Sequence, residues 1–154
     1  MPVPLIDELP FDLAELVRST LAAHRAEADE HDVVLLHAIA PAVALGHPEL
    51  AGHLVTSLVE NAIRSTEPTG WAGVTVRSDA LRAVLTVVNT GPATAGDQVP
   101  AMASRSGAIV TVTPRPEGGL VVEAAFPAAR HVADRRRAPL SPRSEPGTET
   151  PAQW

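Results

Sequence analysis

Apolar residues recur along this chain with two different periods. Leu13, Leu16, Val17, Thr20 and Leu21 share one face of a helix that runs to about Glu30. Asp12 precedes it as an N-cap with Glu15 three residues on, and Phe11 and Leu16 hold the two staple positions. Val33–Ala38 and Val43–Leu45 are short aliphatic runs that predict strands joined through Ala40-Pro41. His47-Pro48 opens a second helix, reaching about Arg64, with the stripe Ala51, Leu54, Val55, Leu58 and Ala62. Beyond the turn Glu67-Pro68-Thr69-Gly70 the period becomes two. Gly73–Ser78 and Arg82–Asn89 predict one hairpin, and Ala108–Thr113 and Gly119–Phe126 a second. Helix, two strands, helix, four strands predicts an α+β fold, a two-layer sandwich with the helices on one face of a mixed sheet.

Composition bounds this picture. The 154 residues, 45% hydrophobic, suffice for one domain with its own core. Residues 1–10 read as a lead, 11–127 as the domain and 128–154 as a disordered tail, because the tail's Pro, Arg, Ser, Glu and Thr offer little to bury. A net charge of −6 argues against a nucleic-acid partner. Cysteine is absent, which excludes disulfides, thiolate nucleophiles and Cys-based metal centres. No apolar run approaches the roughly 20 residues that span a bilayer, and Met1-Pro2-Val3-Pro4-Leu5 does not open like a signal peptide. No membrane insertion and a cytoplasmic location are the expectations. All 12 basic residues are Arg, so there is neither a P-loop lysine nor a Schiff-base lysine; this usage points to a GC-rich, actinobacterial genome.

Searches for familiar catalytic patterns return little. GxGxxG, Walker A, HExxH and GxSxG patterns are all missing. No two of the six histidines stand at the spacing of a helical metal site; His47 and His53 read more readily as surface or capping residues than as zinc ligands. Asn61 is the informative residue. Helical spacing puts it at the margin of the apolar stripe, beside Leu54 and Leu58. An amide there either bonds a neighbouring backbone group or faces a ligand at the lip of a pocket.

The segment LVTSLVENAIRST around Asn61 resembles the N box of the sensor histidine kinase ATP-binding domain, in the Bergerat superfamily shared with gyrase. LGHPEL resembles the turn that opens the same helix, and FDLAELVRSTLAAHRAEADEHDVVL the first helix and strand of that domain. LTVVNTGPA resembles its first glycine box, and SGAIVTVTPRPEGGLVVEAAFPA its closing hairpin. The resemblance covers roughly Phe11 to Ala128. It implies a nucleotide partner, with ATP and Mg²⁺ as cofactors and Asn61 as the magnesium ligand. It also implies Glu60 as the acidic neighbour in the box, and Arg64 as a phosphate contact, against the plain alternative of a solvated helix-end Arg. Asn89 falls where the family places an Asp that accepts from the adenine amino group. Its oxygen can accept that bond, without charge and with a competing donor beside it. Gly91 matches the first glycine of that box, where backbone must approach the base closely.

Two departures shape the functional expectation. Between the first glycine box and the closing hairpin the chain offers only Thr90–Gly107, with Ala93 at the second glycine position and Val99–Met102 as a stump of the family's next motif. Lid and second glycine box are missing, so the fold expected is a truncated Bergerat type. No histidine has the context of a phosphoacceptor box, and no phosphoacceptor hairpin precedes the domain. The resemblance therefore implies a stand-alone ATP-binding domain with weakened nucleotide binding, acting on a separate regulatory protein. The alternative is a non-catalytic, pseudokinase-like scaffold module of a two-component or anti-sigma-type system. Whether the chain turns ATP over stays open.

Overall fold

The structure is a computed structural model and describes residues 8–91 and 105–129. Among them the order is β1 (Leu9–Asp12), α1 (Leu13–Glu30), β2 (Val34–Ile39), β3 (Val43–Gly46), α2 (Pro48–Ser65), β4 (Trp71–Ser78), β5 (Arg82–Asn89), β6 (Ile109–Pro114) and β7 (Leu120–Pro127). Residues 1–7 of the lead, Ala93, Val99–Met102 and the tail from residue 130 lie outside the described residues.

Helix α1 begins as its sequence demands. Asp12 is extended and its Oδ1 accepts from the Glu15 amide at 3.0 Å. The reciprocal half of the expected capping box is not made. The Glu15 carboxylate instead accepts from the Ser19 hydroxyl at 3.3 Å and sits 3.6 Å from Arg18. The helix stops without glycine: Asp32 takes a left-handed φ of 59°, and the Val33 amide returns to the Ala28 carbonyl at 2.9 Å. In α2, Pro48 fills the first turn, where its missing N–H costs nothing.

Five strands form one sheet in the order β2-β4-β5-β7-β6, with β2 parallel to β4 and every other pair antiparallel. Both helices pack against it, giving the α+β sandwich with a mixed sheet that the pattern predicted. The core lies between the layers. Val17, Leu21, Leu54, Val55, Leu58 and Ile63 from the helices meet Val74, Val76, Leu85, Val122 and Phe126 from the strands. A second, two-stranded sheet pairs β1 with β3, so the two aliphatic runs after α1 belong to different sheets. Strand β1 was not visible in the pattern: Leu9-Pro10-Phe11-Asp12 is short, holds a proline, and acquires its pairing only from β3.

Candidate functional site

The packing of α2 across β5 and β7 leaves a narrow cleft. Leu58, Asn61, Ala62 and Ser65 line it from the helix, and Asn89, Leu120 and Val122 from the strands. Helical spacing delivers the first four, since positions 58, 61, 62 and 65 share one face. Strand pairing delivers the rest: Asn89 stands opposite Leu120, and Val87 opposite Val122. Asn61 and Asn89, distant in sequence, thus face one space of about 20 Å³, room for a water molecule.

The two amides differ in what they have left to offer. Asn89 is 5% exposed, and its Nδ2 donates to the Thr90 carbonyl at 2.9 Å. That bond fixes the amide, because only its nitrogen can face a carbonyl oxygen. The competing donor foreseen from sequence is therefore spent on the backbone, and the Oδ1 acceptor takes no hydrogen bond from the described residues. The half-buried amide of Asn61 makes no hydrogen bond to them either.

Gly91 has φ +109°, and a Cβ there would stand 2.5 Å from the Ser65 carbonyl oxygen. Backbone at the end of β5 thus approaches the last turn of α2, a structural demand that needs no ligand. Gly119, at the tip of the closing hairpin, is tighter still: a Cβ would meet the Asn89 carbonyl oxygen at 1.8 Å. The pattern of the sequence predicts Gly119 only as the first residue of the closing strand. The adjacent glycine pair was the signal that the hairpin tip presses against Asn89–Gly91. Arg115, in the same turn, holds the Gly118 carbonyl at 2.7 Å and stacks over the Trp71 ring at 5.3 Å.

Glu60 and Arg64 sit elsewhere. Both reach from α2 to α1, where Glu60 Oε2 is 3.1 Å from His24 Nε2 and Arg64 Nε donates to Glu27 Oε2 at 3.2 Å. Neither lines the cleft. The His24 ring also donates from Nδ1 to the Thr20 carbonyl at 2.8 Å. That bond raises its pKa above the usual value, against the opposing effect of burial, with Glu60 and Glu27 adding to the rise.

No family model matches the sequence. The sensor protein CutS of Streptomyces coelicolor, and that of Streptomyces lividans, are 33% identical over 89 residues. That match takes in 57% of this chain and spans 22% of the length of those proteins. Among solved structures, the cytoplasmic segment of the histidine kinase QseC superposes with a TM-score of 0.67 at 23% identity, over 78% of this chain and 74% of that one. The catalytic domain of the histidine kinase ThkA gives 0.68 at 16% identity, over 79% and 97%. ThkA in complex with the response regulator TrrA gives 0.66 at 15%, over 80% and 42%. ShkA in complex with AMPPNP gives 0.65 at 20%, over 79% and 32%. No helix among the described residues is long and apolar enough to cross a membrane. The fold is that of the ATP-binding, catalytic domains of histidine kinases.

Proposed function

We propose that the chain is a nucleotide-binding module of the histidine kinase type, holding the adenosine end of ATP or ADP between α2 and strands β5 and β7. One observation carries this reading: Asn61 and Asn89, 28 positions apart, line one cleft with hydrogen-bonding capacity unspent. Asn89 Oδ1 would accept from the adenine amino group, and Leu58, Ala62, Leu120 and Val122 would flank the ring. Asn61 would hold Mg²⁺ together with phosphate oxygens, since one neutral amide is a poor magnesium ligand alone. When bound, ATP would supply a transferable phosphoryl group. The complexes of ShkA with AMPPNP and of ThkA with TrrA lend support by likeness of fold.

Binding is weak in this reading. A space of about 20 Å³ admits no purine until the residues of α2 and β7 move apart. Glu60 and Arg64 reach the phosphates only by leaving His24 and Glu27. These engagements also favour the second reading, a scaffold module without turnover. Titration calorimetry with ATP, ADP and adenosine, with and without Mg²⁺, tests the proposal. The expected result is micromolar-to-millimolar affinity with ATP and ADP nearly alike, lost in Asn89→Ala and little changed in Asn61→Ala. No binding of any of the three at millimolar concentration would remove the nucleotide reading. Sub-micromolar ATP affinity that collapses in Asn61→Ala would overturn the weak-phosphate part and favour an active enzyme.

A further inference from the structure

Outside the cleft, the packing of α1 on α2 gathers three groups that ligate metals. His24 and Glu27 are three residues apart on α1 and so share a face, and Glu60 reaches them from α2. One ligand atom from each lies within 4.8 Å of the others, and all three residues are partly buried. The hydrogen bond from His24 Nδ1 to the Thr20 carbonyl, 2.8 Å, fixes which ring nitrogen carries the proton. A carbonyl only accepts, so in the neutral ring Nε2 presents a lone pair. Facing it at 3.1 Å is Glu60 Oε2, another lone pair. Two such groups attract one another only through a cation between them, a proton or a metal ion.

The spacing suits a metal. Nitrogen and oxygen ligands on tetrahedral zinc stand about 2.0–2.1 Å from the ion, which sets them about 3.3 Å apart. The His24–Glu60 separation of 3.1 Å is close to that edge. An imidazole with two carboxylates is a zinc donor set, whereas magnesium favours an all-oxygen octahedron. The Thr20 carbonyl behind His24 is the outer partner that ligating imidazoles regularly have. Arg64 Nε donates to Glu27 Oε2 at 3.2 Å, which orients that carboxylate beside the other two groups.

We propose that His24, Glu27 and Glu60 form a Zn²⁺ site that clamps α1 to α2, with water completing a four-coordinate shell. Sequence reading passed over it because it sought pairs of histidines; the signal was His24 and Glu27 three apart on one helix, with Glu60 supplied by the fold.

The full chain, stripped with chelator and exchanged into chelator-free buffer, is titrated with ZnCl₂ by calorimetry in the absence of nucleotide. One equivalent is expected to bind in the presence of excess Mg²⁺. The melting temperature should rise with zinc concentration, as it must for a ligand of the folded state alone. Co²⁺ in place of zinc should give the visible absorption of a four-coordinate centre. His24→Ala and Glu60→Gln should each weaken zinc binding at least about tenfold, and His53→Ala, an exposed histidine of α2, should leave it unchanged. Glu60→Gln and Glu27→Gln keep size and shape, so the test stands even if His24→Ala fails to fold. No zinc-dependent heat and no melting shift would overturn the proposal. So would equal affinity in the Glu60→Gln and Glu27→Gln variants, or loss of binding in His53→Ala.

Discussion

Asn89 spends one half of its amide on the backbone and keeps the other half unspent. Its Nδ2 is committed to the Thr90 carbonyl, which leaves an uncharged acceptor in a site that is 5% exposed. Asn89→Asp removes that donor and sets a carboxylate against a carbonyl oxygen, at an expected cost of about 1–3 kcal/mol of folding stability. In the proposed binding mode the same change would make the bond to an adenine amino group charge-assisted, and such bonds are roughly twice as strong. The variant should therefore melt lower yet bind adenosine several-fold tighter, as thermal melts and calorimetry on one sample would show. Unchanged adenosine affinity would place the base away from Asn89. Gly91 is a purely steric counterpart. Alanine there would keep a φ of +109° that side chains resist and drive its Cβ to 2.5 Å from the Ser65 oxygen. Gly91→Ala should lose about 1–3 kcal/mol, read as a fall in the denaturation midpoint; a melt identical to the parent would contradict this account of the turn.

At the scale of elements, the chain's pattern was legible wherever a local rule decides. Asp12 caps α1, Pro48 starts α2, and both hairpins turn where the period-two runs break. Illegible were the choices that only partners make. The pairing of β1 with β3 was one, the diversion of the Glu15 side chain to Ser19 another, and the contact of α2 with α1 through Glu60 and Arg64 a third. Of the site, Asn61 stood out at the margin of its helix's apolar stripe, and Asn89 through the resemblance of LTVVNTGPA to the first glycine box. Ser65, Leu120 and Val122 look ordinary until the sheet is assembled. The contact between the helices also has a pH signature. The pKa of His24 is raised above its usual value near 6.5, first by the Thr20 carbonyl and then by Glu60 and Glu27. A group whose pKa rises on folding contributes stability that is complete below its unfolded value and disappears as pH climbs through the folded one. With chelator present to remove metal, the melting gap between the parent and His24→Ala should be widest below the usual histidine value near pH 6.5 and shrink as the pH climbs above it. A gap that is constant or grows with pH would show that His24 does not stabilise the contact as a cation.

Across the whole molecule, the first and last strands are joined by scarce aromatic residues. The sequence has two phenylalanines, and they pack on each other: Phe11 of β1 meets Phe126 of β7 edge to face, centroids 5.4 Å apart at 88°. Phe126 is fully buried in the core, while Phe11 lies partly buried against it. The pair therefore joins the small sheet to the large one, next to the bridge between Ala44 and Ala128. In a core otherwise built of Val, Leu, Ile and Ala, no neighbour is large enough to fill the space that either ring would vacate. Phe126→Ala should cost about 3–5 kcal/mol, a large part of the 5–15 kcal/mol that holds a typical domain together. Phe11→Ala should cost less, because water already reaches part of its ring. In the double variant the two losses should fall short of additive by about 0.5–1.5 kcal/mol, the coupling that edge-to-face rings share beyond the area they bury. Urea denaturation of the parent, both single variants and the double variant measures that term. Strict additivity would mean that β1 rests on the domain without being coupled to its last strand, and the two sheets would then be separate units of stability.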